Sequence, residues 1–582
     1  MAGIRKIKWE YVILILIILL GFGVRYYGVH ADYGFDGNDA PFFATFGLRV
    51  ASLNNPIQTF AELMNFRWGA VTPVILALNL IILKVLNITI TEKLITLPIV
   101  LIGTLTIFVI YLLGKELKNK YVGLMSALFL AILPLHVAQS RNIGGTWIIS
   151  PFLLTLSVYL LVKYFYDKKY GFWASLVVSL YLISTSLFGG LIVLIPFIAI
   201  LSSHSLFGGL KKIFKIKNFV LPALFLLVPV VSYIIFSYYG FKDFGFIGHI
   251  FHRGGGGIGF YIVTLFNDFV KDAGIYLVVL FIGAIVYGMF KLCGVVKEDK
   301  KFNKENGEKE KNKEIIPLIW VAIYTAPFLF LVKPEMTEIS TYLNSMIIPL
   351  IILVGIFVYD VVEWLSDKNN MLYKYFKYCF VLVIVLILVL TSITMFGVVH
   401  RVSCNGDVNN YQMLQGSDYQ NTGAKTAGYF VRENYKDVKI FTDLRPATGH
   451  YYLHMPVISS VDMDDTELFS YFGSISNDID LVIVKQKNLV FIEPYLGGFS
   501  KVIEIQNNGK VVMTMFEKVY GDDNNYLSSA VLHTEHYDAL FDEKYGNVND
   551  LNYGLDEQIK GNKMLNSLMN KIKGGVFGFI LN

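Results

Sequence analysis

The chain has 582 residues, of which 54% are hydrophobic and only 16% charged, with a formal net charge of +5. An average soluble domain carries about 25% charged residues, so this composition excludes an ordinary soluble globular protein. The positive net charge does not indicate a nucleic-acid partner, because the basic residues stand in short clusters between apolar runs, as membrane topology requires.

Apolar runs recur along the first 400 residues, and each is long enough to cross a hydrocarbon core of about 30 Å. They are continuous rather than alternating, which favours helices over a barrel. A shorter run at 71–86, which carries Lys84, is predicted as a partly embedded or interfacial helix. The eleven predicted spans are 11–29, 94–113, 121–138, 148–166, 172–187, 188–205, 218–237, 274–292, 316–332, 341–360 and 378–398.

The distribution of lysine predicts the topology. With the N-terminus placed inside, the loops that fall in the cytoplasm are rich in lysine and the outer loops are poor in basic residues. The predicted cytoplasmic loops are 115–121, 163–171, 211–217, 291–314 and 368–378. The predicted outer loops include 30–93, 139–147, 238–273 and 333–340. We therefore expect a multi-pass protein of the plasma membrane, with a cytoplasmic N-terminus and an extracytoplasmic C-terminal part.

The last 180 residues have a different pattern. "GAKTAGYFVRENY" and "DDTELFSYFG" are typical of helices, whereas "VKIFTD", "PVISSVD", "DLVIVK", "KVIEIQ" and "VVMTMFEKV" are typical of strands. This alternation predicts a small α/β domain on the outer face. The expected organisation is a transmembrane domain over 1–399, the α/β domain over 400–520, and a tail over 521–582 that contains an amphipathic helix.

The first outer loop, 30–93, is unusually long, and loops of this length are usually functional or disordered. It opens with "FDGNDAPFF", whose aromatic residues and following amphipathic pattern favour an ordered segment. Asp36 and Asp39 lie there at the predicted boundary between bilayer and water. Each carboxylate suits a general base, a metal ligand or a helix cap. Asn38 or Asp39, with Pro41 in the first turn, fits an N-cap, but that accounts for only one of the two acids.

The predicted topology brings polar residues of other loops to the same face. "HVAQSRNIGG" places four of them at the exit of the third span: His136, Gln139, Ser140 and Arg141. The two later outer loops add His249, His252, Arg253, Lys333, Glu335, Glu338 and Tyr342. A carboxylate facing several cations at a membrane surface suits a phosphate attached to a lipid tail, because the cations hold the phosphate while the acid deprotonates an acceptor. Singly, each cation also fits a helix-end side chain that reaches the interface.

Several of these motifs resemble a known family. "GNDAPFFATFGLRVA", "WGAVTPVI", "IYLLGKELKNKYVGLMSALFLAILPLHVAQSRNIGG", "SVYLLVKYF" and "TYLNSMIIPLIIL" are similar to segments of the GT-C membrane glycosyltransferases. The likeness is to the dolichyl-phosphate-mannose protein mannosyltransferases and the aminoarabinose transferases. It covers about residues 10–200 well, 200–400 loosely and 400–582 hardly at all.

The resemblance implies a GT-C-like α-helical polytopic fold and an inverting transfer of a sugar from a polyprenyl (dolichyl) phosphate to a protein, glycan or lipid acceptor. Asp39, or else Asp36, is then the base, and Arg141, Arg253 and Lys333 stabilise the phosphate. The implied supporting residues, for the phosphate, the sugar or the acceptor, are His249, His252, Glu335, Glu338 and Tyr342. No cofactor is predicted; a divalent metal is possible but not indicated.

The sequence departs from the family where an Asp-Glu pair is usual: Asn38 and Asp39 stand there. It also reads "GGTW" beyond the "SR" element, where an acid is frequent. Oligosaccharyltransferases share the architecture, but their metal-binding acids after that element and their WWDYG motif are missing, so en-bloc glycan transfer is the weaker alternative. A transporter or flippase is the other alternative; the chain lacks the repeats and mid-membrane charges typical of that class.

Overall fold

The structure is a computed structural model, and it describes a little more than half of the chain. The described residues are 9–26, 39–52, 71–141, 143, 148–166, 168–184, 275–293, 313–322, 339–366, 371–397, 399–401, 410–412, 423–444, 449, 452–453, 455, 457–458, 465–507, 509–519 and 530–545. The predicted spans 188–205 and 218–237 lie outside them, and the predicted span 316–332 is described only as a helical segment over 316–322.

Apolar helices dominate the described part of the first 400 residues. In chain order they are α1 (Trp9–Tyr26), α2 (Asp39–Ser52), α3 (Val71–Val85), α4 (Glu92–Leu117), α5 (Lys120–Ile132), α6 (Pro134–Gln139), α7 (Ile149–Tyr166), α8 (Gly171–Ser184), α9 (Ile275–Leu292), α10 (Ile339–Ser366) and α11 (Met371–Gly397). Within the described ranges, α1, α4, α9, α10 and α11 are long and apolar enough to cross a membrane. The prediction of a helical membrane protein is confirmed.

The spans differ in how much protein surrounds them. The apolar window of α10 is 72% buried inside the bundle, whereas that of α11 is only 11% buried. Leu382 and Leu386 of α11 are exposed accordingly. A helix whose backbone groups are paired internally is stable in contact with lipid, so α11 lies at the periphery of the bundle and α10 near its centre.

At two prolines, one inside α4 and one between α5 and α6, a side chain from another helix donates to the carbonyl that the proline leaves free. A proline has no N–H to donate to the carbonyl four residues earlier. In α4, Pro98 leaves the Leu94 carbonyl free, and the Asn79 side chain of α3 donates to it at 2.9 Å. The second case, at Pro134, breaks the predicted span 121–138 into α5 and α6 and is described with the candidate site.

The α4–α5 hairpin is close-packed at its turn. Asn119 caps α5, its side chain accepting from the backbone N–H groups of Tyr121 and Val122. A Cβ at Gly123 would lie 2.5 Å from the Tyr111 carbonyl oxygen, so only glycine permits this approach of the two helices.

We call the end of the bundle that carries Glu10 the inner end, because the distribution of lysine predicts that this end faces the cytoplasm. There the Glu10 carboxylate lies 2.8 Å from Lys115 Nζ, which places the start of α1 beside the end of α4. Lys118 pairs with Glu314 at 2.7 Å and with Asp360 at 3.2 Å.

The part of the chain after α11 contains a short ribbon, β1 (Val399–Arg401) with β2 (Asn410–Gln412), and then an α/β domain. The elements of this domain are α12 (Ala424–Asn434), β3 (Ile440–Thr442), β4 (Val457–Ile458), α13 (Asp465–Ile475), β5 (Leu481–Lys485), α14 (Leu489–Ile492), β6 (Phe499–Asn507), β7 (Lys510–Lys518), β8 (Ala530–His533) and α15 (Thr534–Tyr545). Both predicted helices and all five predicted strands are present.

The domain is built on a six-stranded mixed sheet of order β4-β3-β5-β7-β6-β8. The strands β3, β4 and β5 are parallel, as the alternation of strands and helices predicts, and β7 pairs antiparallel with both β5 and β6. The sheet extends past residue 520 into the segment expected to be a tail, because β8 adds to its edge beside β6. A four-residue strand is too short for its pattern to be distinctive.

The α/β domain is attached to the transmembrane bundle by a buried ion pair. Lys425 Nζ of α12 lies 2.8 Å from the Glu92 carboxylate at the start of α4, and both side chains are almost fully buried. The Tyr452 hydroxyl donates to the other Glu92 oxygen at 3.0 Å. The domain therefore lies at the end of the bundle opposite Glu10, which we call the outer end.

Candidate functional site

The outer end of the bundle contains a fully buried arginine, Arg25, in the last turn of α1. Its Nη1 donates to the carbonyls of Gly21 and Ala131, both at 2.9 Å. Its Nη2 donates to the Leu130 carbonyl at 2.9 Å and to His136 Nδ1 at 2.8 Å. Its Nε donates to the Ser140 hydroxyl at 3.2 Å, so all five donors of the guanidinium are used.

The need for Arg25 follows from the break at Pro134. The Leu130 carbonyl would accept from residue 134, which has no N–H, and Leu133 leaves the helix with an extended backbone (φ −69°, ψ 117°). The carbonyls of Leu130 and Ala131 thus end up without the usual helical partner inside the membrane protein, where an unpaired backbone group is costly. Arg25 supplies both missing hydrogen bonds.

α4 passes close to this cluster at Gly103. A Cβ on that residue would lie 2.3 Å from the Ser140 hydroxyl oxygen and 3.5 Å from Arg25 Nε. The Ser140 hydroxyl also donates to the His136 carbonyl at 2.5 Å. Four helices, α1, α4, α5 and α6, therefore meet around one guanidinium.

The short helix α6 carries two further buried polar side chains, His136 and Gln139. Among the described residues, the Nε2 atom of His136 and the Oε1 atom of Gln139 have no hydrogen-bond partner. Such atoms are uncommon in folded proteins and require an explanation, for example a bound molecule.

Arg141 follows directly after Ser140 and is partly buried. Burial lowers the pKa of its guanidinium to about 10, which leaves the group protonated at neutral pH. The structure thus gathers two positive charges, those of Arg25 and Arg141, at the point where the third span ends. The hydrogen bonds of Arg25 go to carbonyls, a hydroxyl and an imidazole, all of them uncharged acceptors.

The predicted site residues are described to different degrees. Arg141 lies beside His136, Gln139 and Ser140, the group that the sequence places at this exit. Asp39 is the first residue of α2, and Pro41 lies in its first turn. α2 packs on α3, where a Cβ at Gly47 would lie 2.9 Å from the Leu76 side chain.

Tyr342 lies near the start of α10. The side chains of Asp39 and Tyr342 are outside the described part of the structure, so their roles stay predictions. The same holds for the remaining residues, which lie wholly outside the described ranges: Asp36, His249, His252, Arg253, Lys333, Glu335 and Glu338.

Sequence reasoning missed Arg25 and Glu92. The signal for Arg25 was present, because a single arginine in the last turn of an apolar helix is a strong functional or structural marker in a membrane protein. Glu92, at the start of α4, had no comparable signal, since its partners Lys425 and Tyr452 lie in another domain.

The described residues contain no group of three or more His, Cys, Asp or Glu side chains arranged to hold a metal ion. No protein-family model matches the sequence, and no curated protein sequence matches it.

The fold, by contrast, is similar to solved structures. The oligosaccharyltransferase of Archaeoglobus fulgidus in the apo form is 12% identical, with a TM-score of 0.56 over 89% of this chain and 75% of that one. AglB from the same organism, in complex with an inhibitory peptide and a dolichol-phosphate, gives 12% identity and a TM-score of 0.54 over the same shares. ArnT from Cupriavidus metallidurans, bound to undecaprenyl phosphate, is 11% identical, with a TM-score of 0.53 over 90% of this chain and 100% of that one.

The predicted fold class is thereby confirmed: a GT-C-like helical membrane domain followed by an α/β domain. The likeness extends over the outer domain as well, although the sequence resemblance there was almost absent. The count of eleven spans is a separate prediction, since part of it falls outside the described residues.

Proposed function

We propose that the protein is an integral membrane glycosyltransferase that transfers a sugar from a polyprenyl phosphate to a protein, glycan or lipid acceptor at the outer face of the plasma membrane. The fold shared with AglB and ArnT supports this proposal, since both of those proteins have been solved with a polyprenyl phosphate bound. Fold alone does not define an activity, so the proposal depends on the chemistry of the outer end.

The observation that carries the proposal is the positive charge around Arg25 and Arg141. A buried cation is stable only where its charge is balanced or well solvated by dipoles. Arg25 is solvated by carbonyl dipoles, yet its net charge is not cancelled by any of these partners. A phosphate at the end of the third span would balance it.

The two arginines would have different roles. Arg25 has no donor left for a ligand, so it would act on a phosphate through its electric field and by holding α6 in place. Arg141, partly buried and next in the chain to Ser140, would contact the phosphate oxygens directly, a task that suits the planar fork of a guanidinium. Arg253 and Lys333, with His249 or His252 assisting, would complete this anion site.

The reaction would be a single displacement at the anomeric carbon. The acceptor oxygen forms a bond to that carbon while the bond from carbon to the phosphate oxygen breaks, and the lipid phosphate leaves with the electron pair. The acceptor proton passes to the carboxylate of Asp39, or else Asp36. Glu335, Glu338 and Tyr342 would orient the sugar or the acceptor. No step requires a metal ion.

The outer α/β domain would bind the acceptor or cover the site. The ion pair of Glu92 with Lys425 supports this role, because it fixes the domain at the outer end of the helices that carry the site. Transfer of one sugar is favoured over en-bloc transfer, because the WWDYG sequence is absent from the chain.

The test is sugar transfer by purified Asp39→Asn and Asp36→Asn variants, with polyprenyl-phosphate sugars as donors. Loss of a general base is expected to lower the rate by about a hundredfold or more. Asp478→Asn, an exposed acid of the outer domain, serves as the matched control and should retain the wild-type rate. Full activity in both variants would show that neither acid is the base.

A further inference from the structure

The starting point is the pair of buried polar atoms on α6. His136 and Gln139 stand three positions apart, so their side chains lie next to each other on one face of this helical turn. Both side chains are at most 1% exposed. Within the described part of the chain, His136 Nε2 and Gln139 Oε1 are without a hydrogen-bond partner.

Arg25 determines which kind of partner His136 needs. A guanidinium is always protonated and only donates, so the Nδ1 atom that receives its hydrogen bond at 2.8 Å carries a lone pair and no proton. In the neutral imidazole the proton is therefore on Nε2, which becomes a donor. The two ring nitrogens point to different sides of the ring, so this donor is directed away from Arg25.

The neighbouring amide offers the complementary group. Gln139 Oε1 is an acceptor, so the pair presents one donor and one acceptor side by side. A phosphate oxygen accepts from the first but is repelled by the second. A hydroxyl group satisfies both at once, and it also fits the amide in its opposite orientation, since a hydroxyl both donates and accepts.

We infer that His136 and Gln139 bind a hydroxyl group of the sugar that is carried on the lipid phosphate. This inference rests on the proposed function and adds to it a recognition site for the sugar, separate from the arginines that hold the phosphate. The neutral pair selects for the hydroxyl, whereas Arg141, two positions after Gln139, recognises the charge.

The experiment compares two ligands on the full-length protein in detergent. The first is a polyprenyl phosphate without sugar. The second is the same lipid carrying mannose, glucose or galactose, of which the one that binds the wild type most tightly is used. Dissociation constants are measured for each ligand by a direct binding assay.

Two variants test the pair separately. His136→Asn places an oxygen where Nδ1 was, which preserves the acceptor for Arg25 and removes only the Nε2 donor. Gln139→Leu removes the acceptor at nearly constant volume. Thr155→Val is the matched control, because this buried hydroxyl donates to the Pro151 carbonyl of its own helix, away from α6.

Both variants are expected to weaken binding of the sugar-bearing lipid about tenfold, the effect of losing one hydrogen bond to a buried group. Binding of the bare lipid phosphate should change less than twofold, and the control should bind both ligands as the wild type does. This selective loss is an effect that a purely structural role would not produce.

Two results would overturn the inference while leaving the proposed function intact. Unchanged binding of both lipids would mean that the two atoms hold only water, and an equal loss for both lipids would mean that they act on the phosphate or on the fold. Failure of the wild type to bind either lipid would instead refute the proposed function, and the inference with it.

Discussion

Buried charge at the inner end of the helical bundle is handled differently from the buried charge of Arg25 at the outer end. At the inner end, carboxylates and lysines alternate: Glu116 lies between Lys163 and Lys313, and Lys118 lies between Glu314 and Asp360. At the outer end, Arg25 is surrounded by uncharged acceptors.

The pKa of Lys118 shows how the carboxylates at the inner end compensate a buried lysine. Burial alone would lower it, but the carboxylates of Glu314 and Asp360 raise it above the ordinary value for lysine. Charges compensated in this way stabilise the packing of helices without attracting a ligand. The comparison teaches that charged side chains alone do not mark a site in this protein; the informative feature is a buried guanidinium, that of Arg25, whose hydrogen bonds within the described residues all go to uncharged acceptors.

The largest expected effect comes from removing the outer cation. Arg25→Met leaves the carbonyls of Leu130 and Ala131 and the Nδ1 of His136 without a donor, and each such group costs about 1–3 kcal/mol. We expect a loss of stability on the order of 5 kcal/mol and the loss of polyprenyl-phosphate binding. Thermal unfolding and lipid binding measure the two effects.

The matched inner variant is Lys115→Met. This lysine is 40% exposed beside Glu10, and an exposed ion pair contributes only about 0–1 kcal/mol. A loss of stability as large as that of Arg25→Met would contradict the distinction between the two ends.

The next effect concerns the attachment of the outer domain. Glu92→Gln leaves Lys425 buried without its carboxylate, which costs about 3–5 kcal/mol for an ion pair of this burial. We expect faster hydrogen exchange in α12 while the exchange of α10 stays unchanged. Adding Lys425→Met should restore part of the protection, because the double variant no longer buries an unpaired charge. Unchanged exchange in the single variant would show that the pair does not hold the domain.

A smaller effect is expected among the buried ion pairs of the inner end. In Asp360→Asn, Lys118 and Lys291 each keep Glu314 as a partner, so the loss of stability should be about 1–2 kcal/mol. Binding of polyprenyl phosphate should not change, since no inner charge belongs to the candidate site. Weaker lipid binding in this variant would remove the functional difference between the two ends.

Local patterns predicted much of this fold. The helix Ala424–Asn434 and the strands Leu481–Lys485 and Lys510–Lys518 lie where their periodicity indicates. The predicted span 121–138 is divided into α5 and α6 at Pro134, a proline that is visible in the sequence. Apolar composition continues across the proline, and composition cannot show where the backbone changes direction.

The candidate site was only partly predictable. The group from His136 to Arg141 follows from the position of "HVAQSR" at a span exit. Arg25 joins that group from more than 100 positions away, and Tyr452 reaches Glu92 across 360 positions. Such contacts depend on how helices pack, which no local pattern contains.

The side-chain hydrogen bonds beside Pro98 and Pro134 have a mechanical consequence. A proline inside a helix removes one backbone hydrogen bond, and this loss weakens and usually kinks the helix at that point. Here the Asn79 side chain donates to the Leu94 carbonyl and the Arg25 side chain donates to the Leu130 carbonyl, each from a neighbouring helix. These hydrogen bonds hold α4 and the junction of α5 with α6 in place, so we expect this part of the outer end to keep its shape.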